Sequence, residues 1–123
     1  MIIGIGTDIV EIERIKKRIA NTDFVKLVFT PVEIDYCKCK SRSAEHYAAR
    51  FAAKEAFFKA IGTGVSGKLE FLQVEITNSP EGLPKINIFD EALIIAKEAG
   101  VKNIHLSISH ESKYAIATVI LEK

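Results

Sequence analysis

The 123-residue chain predicts an α+β domain in which mainly antiparallel sheet packs with a long central helix. Three observations lead there. Strand and helix patterns follow one another in the order β-α-α-α-β-β-α-β-β, which suits segregated helices and antiparallel pairing. The stretch "RFAAKEAFFKAIGTG", Arg50 to Gly64, reads as one strong helix closed by glycine. The last apolar segment, "YAIATVIL", is apolar on both faces, as a strand in the middle of its sheet would be.

Met1 to Ile9 alternates as a strand, with Ile3, Ile5, Thr7 and Ile9 on one face and Gly4, Gly6 and Asp8 on the other. Glu11 to Ala20 reads as an amphipathic helix with Ile12, Ile15 and Ile19 inward. Thr30-Pro31-Val32-Glu33 is a helix start: threonine caps, proline suits the first position and glutamate closes a capping box. That helix ends near "KCKSR", after which Ser43 is expected to cap the long helix from Ala44 to Ile61, with Gly62 as the stop. "FLQVEIT" from Phe71 and "KINIF" from Lys85 read as strands joined by the turn-rich "NSPEGLP". Asp90 to Ala99 reads as a helix with an aspartate cap, and "NIHLSISH" and "YAIATVIL" as two final strands.

Composition narrows the classes of function. Hydrophobic residues at 48% and charged residues at 27% are ordinary for a globular protein, and 123 residues fit a single domain, 1–123, with one core. A net charge of +1 gives no bulk field toward nucleic acid or membrane. The N-terminus "MIIGIGTDIVEIERIKKR" runs from apolar to charged, the reverse of a signal peptide, and no window reaches the length of a membrane span. The cytoplasm is therefore the expected location. Cys37 and Cys39 form a lone Cys-x-Cys, too few ligands for a structural zinc site, and read as reduced thiols on different helix faces.

Three features depart from what folding alone asks for. Ala48, Phe51, Glu55 and Phe58 fall on one helical stripe, so Glu55 stands where an apolar residue is expected. Ala49, Ala53, Phe57 and Ala60 make a second apolar stripe, leaving little exposed strip for a surface pair of Glu55 with Lys59 at i,i+4. A buried carboxylate is costly unless it is paired or holds a metal. Asp8 ends an apolar strand whose face is otherwise two glycines, a surface that a ligand or another backbone can approach. Ser109-His110 closes a later strand and is set against the basic residues Arg50, Lys54 and Lys59, with no nucleophile elbow to make a hydrolase.

Two carboxylates from different elements can hold magnesium, which completes its shell with water and phosphate oxygens, while arginine and lysine hold the phosphates. Asp8 and Glu55 thus point to metal-assisted chemistry on a phosphate ester or pyrophosphate. Arg14, Lys17 and Arg18, at i, i+3 and i+4, form a separate basic patch able to dock an acidic partner.

With these residues in view, the chain resembles the bacterial holo-acyl-carrier-protein synthases, a family of small phosphopantetheinyl transferases. "GIGTDIVEIERI", "FTPVEIDYC", "RFAAKEAFFKAIGTG" and "LSISHESKYAIATVI" carry the resemblance over nearly the whole length. It implies transfer of 4′-phosphopantetheine from coenzyme A to a serine of apo acyl carrier protein, releasing adenosine 3′,5′-bisphosphate, in fatty acid biosynthesis. It further implies magnesium on Asp8 and Glu55, pyrophosphate on Lys59, and coenzyme A phosphates on Arg50 and His110. The basic first helix, Arg14 foremost with Lys17 and Arg18, would receive the acidic carrier, and a homotrimer would set the coenzyme cleft between subunits. "FLQVEIT" departs from the family in lacking a tryptophan and an aspartate often seen near that strand, and "SISHES" has glutamate where threonine is common. Rival readings are a kinase-like phosphate loop in "GIGTD", which needs far more chain, and a coenzyme A-binding module without turnover.

Overall fold

The computed structural model describes residues 1–62 and 69–123, so Thr63 and Gly64 of the helix-closing stretch lie outside the described residues. Strand β1 (Ile2–Glu11) leads into helices α1 (Ile12–Arg18), α2 (Thr22–Val28), α3 (Pro31–Lys38) and α4 (Ser43–Ile61). A 3-10 turn (Phe71–Gln73) opens the hairpin of β2 (Val74–Asn78) and β3 (Pro84–Ile88), and α5 (Asp90–Glu98), β4 (Asn103–His110) and β5 (Tyr114–Glu122) follow. β5 lies between β1 and β4 in an antiparallel sheet, as its apolar faces predict, and β2 and β3 form a second antiparallel pair.

The larger sheet packs on α4 through the glycine face of β1. A Cβ at Gly4 would strike the Ala60 carbonyl and one at Gly6 the Ala56 carbonyl, so only glycine lets strand and helix approach this closely. The small-residue face is therefore turned inward and the isoleucine face outward, with Ile5 64% and Ile9 62% exposed. On the helix side, Ala52, Ala53, Ala56 and Ala60 supply the matching low relief. Beyond them Phe24, Phe51, Phe58 and Phe71 interlock, with Phe51 stacked on Phe71 at 5.6 Å between ring centroids.

α4 also carries a buried ion pair. Lys54 and Glu33 are both fully buried, 2.6 Å apart, and Lys54 donates further to the carbonyls of Val28 and Phe71. Glu33 accepts from the backbone N–H groups of Thr30 and Ile76. The Thr30–Glu33 capping box forms as its sequence predicts, and the same glutamate ties α3, α4 and β2 together. Lys54 therefore stands away from the Ser109-His110 end of β4.

Several local expectations are corrected. α2 was not expected from periodicity; its seven residues are capped by Asn21, whose side chain accepts from the Asp23 N–H. Ser43 is the first helical residue of α4 rather than its cap. Asp90 begins α5 in a left-handed conformation with φ 51°, and Gln73 instead accepts from the Ala92 N–H. Phe71–Gln73 is a turn, so β2 starts only at Val74. Cys37 is buried and Cys39 exposed, both free; burial pushes the Cys37 thiol up to about 12, which keeps it protonated and inert. Among the described residues no helix is long and apolar enough to cross a membrane.

Candidate active site

Asp8 pairs in register with Ala117 on the inward face of β1, so its carboxylate points toward α4 just beyond the glycine contact. There it meets Lys59, whose ammonium lies 3.0 Å from Asp8 Oδ1 and donates to the Thr7 carbonyl at 3.0 Å. The i,i+4 pair of Lys59 with Glu55 is thus not formed; the lysine crosses to the strand instead. Glu55 lines a cavity of about 300 Å³ with Asp8, Glu11, Arg14, Arg18 and Phe51. Burial pushes the Glu55 carboxyl above the usual range, the Asp8 charge adds to the rise, and Lys59 and Arg18 oppose it.

The basic patch on α1 divides in the folded chain. Arg14 and Arg18, one turn apart, line the Asp8–Glu55 cavity, whereas Lys17 does not. The Arg18 guanidinium lies over the Phe24 ring at 4.2 Å and near the Phe51 ring at 5.9 Å. Phe24 belongs to the unexpected helix α2, which is why the sequence did not reveal this arrangement.

Arg50 and His110 meet in a second cavity, of about 250 Å³, lined also by Tyr36, His46, Asn78 and Pro84. Arg50 donates to Asn78 Oδ1 at 2.8 Å and its guanidinium lies 4.1 Å from the Tyr36 ring centroid. Its Nε is buried with no hydrogen-bond partner among the described residues, an unanswered donor of the kind an anion satisfies. His110 Nδ1 lies 3.6 Å from Glu45 Oε1, and its ring meets His46 edge-on at 5.9 Å. Sequence reasoning missed His46, Tyr36 and Asn78; Tyr36 and His46 were legible only as ordinary helix residues, and Asn78 as part of a turn. Five residues rotate an α-helix by a full turn and about 140° more, so Arg50 and Glu55 open on different sides of α4. The chain therefore brings Asp8, Glu55 and Lys59 together, and Arg50 with His110, but not the two groups into one cavity.

Among the described residues no cluster of three or more His, Cys, Asp or Glu that could hold a metal is present, and the cavity that Asp8 and Glu55 share offers hard oxygen donors only from carboxylates. Lys59 on Asp8 and the raised Glu55 carboxyl both mark a cavity that favours added positive charge. An α+β fold with a carboxylate pair, a lysine and two arginines around one cleft is of the class that handles phosphate-bearing substrates.

The chain belongs to the 4′-phosphopantetheinyl transferase superfamily, whose model matches residues 4–119. It is 45% identical over 125 residues to the holo-[acyl-carrier-protein] synthase of Geotalea daltonii, covering 100% of both chains. A crystal structure of holo-(acyl-carrier-protein) synthase from Bacillus anthracis in complex with CoA (3′,5′-ADP) aligns with TM-score 0.82 and 39% identity, covering 98% of this chain and 96% of that one. The synthase from Neisseria meningitidis aligns with TM-score 0.89 and 36% identity over 100% of both chains.

Proposed function

We propose that this single-domain chain transfers 4′-phosphopantetheine from coenzyme A to a serine of apo acyl carrier protein, in the cytoplasm and in fatty acid biosynthesis. The observation that carries the reading is the carboxylate pair: Asp8 and Glu55, from strand and helix, face one cleft beside Lys59 in a chain of this family. The serine oxygen attacks the β-phosphorus, the bond from that phosphorus to the bridging oxygen breaks, and adenosine 3′,5′-bisphosphate leaves with that oxygen. The serine proton passes to a base in the cleft. Asp8 and Glu55 would hold magnesium, which when bound supplies positive charge against the pyrophosphate. Lys59 moves from Asp8 to the phosphates, and Arg50 and His110 hold further phosphates of coenzyme A.

Assembly as a homotrimer completes the reading. The isoleucine face of the larger sheet, with Ile5, Ile9, Tyr114 and Ile116, is an apolar surface of the kind that subunits cover. A homotrimer would place the coenzyme cleft between subunits, so that residues of two chains complete it. Ile5→Asp should yield monomers by analytical ultracentrifugation and lose transfer; a variant that stays trimeric rejects this face as the interface.

The activity is tested by mass spectrometry of apo acyl carrier protein incubated with the enzyme, coenzyme A and magnesium. The carrier should gain one phosphopantetheine, and chelation with EDTA should prevent the gain. A competent carrier left unchanged rejects the assignment.

A further inference from the structure

We infer that Arg18 is a phosphate-binding residue of the Asp8–Glu55 cleft rather than part of a carrier-docking face. The inference rests on the phosphopantetheinyl transfer proposed above and adds a residue to its substrate contacts.

Arg18 is the last residue of α1 and is exposed. Its guanidinium is nonetheless laid over Phe24 at 4.2 Å and near Phe51 at 5.9 Å, rings from α2 and α4. Contact with a ring face fixes the guanidinium plane and leaves its N–H edges available. Among the described residues no carbonyl or carboxylate accepts a hydrogen bond from those edges. The side chain lines the same cavity as Asp8 and Glu55, in which Phe51 forms part of the wall.

A held guanidinium with free edges is suited to an acceptor with two oxygens in one plane, and a phosphate offers that geometry. Docking against a carrier helix makes a different demand, since charges on such a rim act at long range and gain little from a fixed plane. Arg14 and Lys17 illustrate the contrast. Arg14 shares the cavity with no aromatic ring beneath it among the described residues, and Lys17 is not among the residues that line the cavity. The three cations of α1 thus separate into one substrate contact, Arg18, and two residues left to meet the carrier.

The test compares the wild-type protein with Arg18→Ala, Arg18→Lys and Phe24→Leu. Coenzyme A binding in magnesium is followed by titration calorimetry, and KM for the apo carrier by steady-state transfer. Loss of a charge-assisted phosphate contact should weaken coenzyme A binding about tenfold in Arg18→Ala, with the carrier KM unchanged. Arg18→Lys should restore only part of that affinity, because a lysine keeps the charge and loses the fork. Phe24→Leu, which keeps the arginine but removes its support, should lose less than Arg18→Ala. Unchanged coenzyme A affinity in Arg18→Ala overturns the inference, and a raised carrier KM in the same variant would assign Arg18 to docking. A wild-type protein that binds coenzyme A but modifies no carrier would sink the transferase reading, while the calorimetry would still decide Arg18. Wild-type protein that neither binds nor transfers removes both.

Discussion

Lys54 and Glu55 are neighbours on α4 and sit in opposite environments. Lys54 is fully buried, and the chain answers its charge with Glu33 at 2.6 Å and with the Val28 and Phe71 carbonyls. Burial pulls the Lys54 amine below its usual range, Glu33 and Glu75 oppose that pull, and the Arg50 charge adds to it. Glu55 is only partly buried, yet no described residue accepts or donates a hydrogen bond to it, and burial and Asp8 push its carboxyl upward. A structural charge is told from a functional one by what surrounds it. The fold surrounds the first with partners, whereas the second is left facing a cavity at a cost to stability.

Removing the buried lysine should have the largest effect. Lys54→Met leaves the buried Glu33 carboxylate without its cation, and should destabilise the protein by about 3–5 kcal/mol in chemical denaturation. The double variant Glu33→Leu/Lys54→Met should recover part of that loss, because no lone charge remains inside. Recovery stays incomplete, since the Thr30 and Ile76 N–H groups lose their acceptor. A Lys54→Met protein as stable as wild type would mean that the pair is not the tie between α3, α4 and β2.

A smaller effect is expected where β1 meets α4. A Cβ at position 6 would strike the Ala56 carbonyl and lie 2.7 Å from the Ala60 nitrogen, so strand and helix must separate. Gly6→Ala should cost about 1–3 kcal/mol by calorimetric melting and lower transfer by moving Asp8 away from Lys59. Full activity together with a lowered melting temperature would show that the cleft does not depend on this contact.

These residues also show how much the sequence reveals. Gly4, Gly6 and Asp8 share a strand face by simple alternation, and Glu55 breaks an apolar stripe, so the carboxylate pair was legible as two anomalies. The middle position of β5 was legible from its two apolar faces. What alternation does not disclose is which face of β1 turns inward. Isoleucines suggest one answer, and the low relief demanded by the alanine-rich side of α4 selects the other. α2 escaped because seven residues hold too few turns for periodicity, leaving only the Asn21 cap as a signal. Without α2 there is no Phe24 beneath Arg18, so the division of the basic patch was beyond reach. The Arg50 surroundings were hidden for a related reason: Tyr36, Asn78 and His110 converge from three elements far apart in the chain.

The smallest effect concerns Glu55 itself, and its sign separates the two environments. A carboxyl whose folded pKa is raised contributes stability that is fully present below its unfolded value and is lost as pH rises through the folded one. Glu55→Gln removes that loss. The melting temperature of the variant minus that of wild type should therefore increase between pH 4.5 and pH 7.5, even though transfer is abolished. The buried pair shows no such benefit, because Lys54→Met destabilises at neutral pH. Added magnesium should raise the wild-type melting temperature and leave Glu55→Gln nearly unmoved, since a ligand that binds only the folded state stabilises it by mass action. A difference that falls with rising pH would place Glu55 among charges the fold has already satisfied, and would remove the physical ground for treating it as a metal ligand.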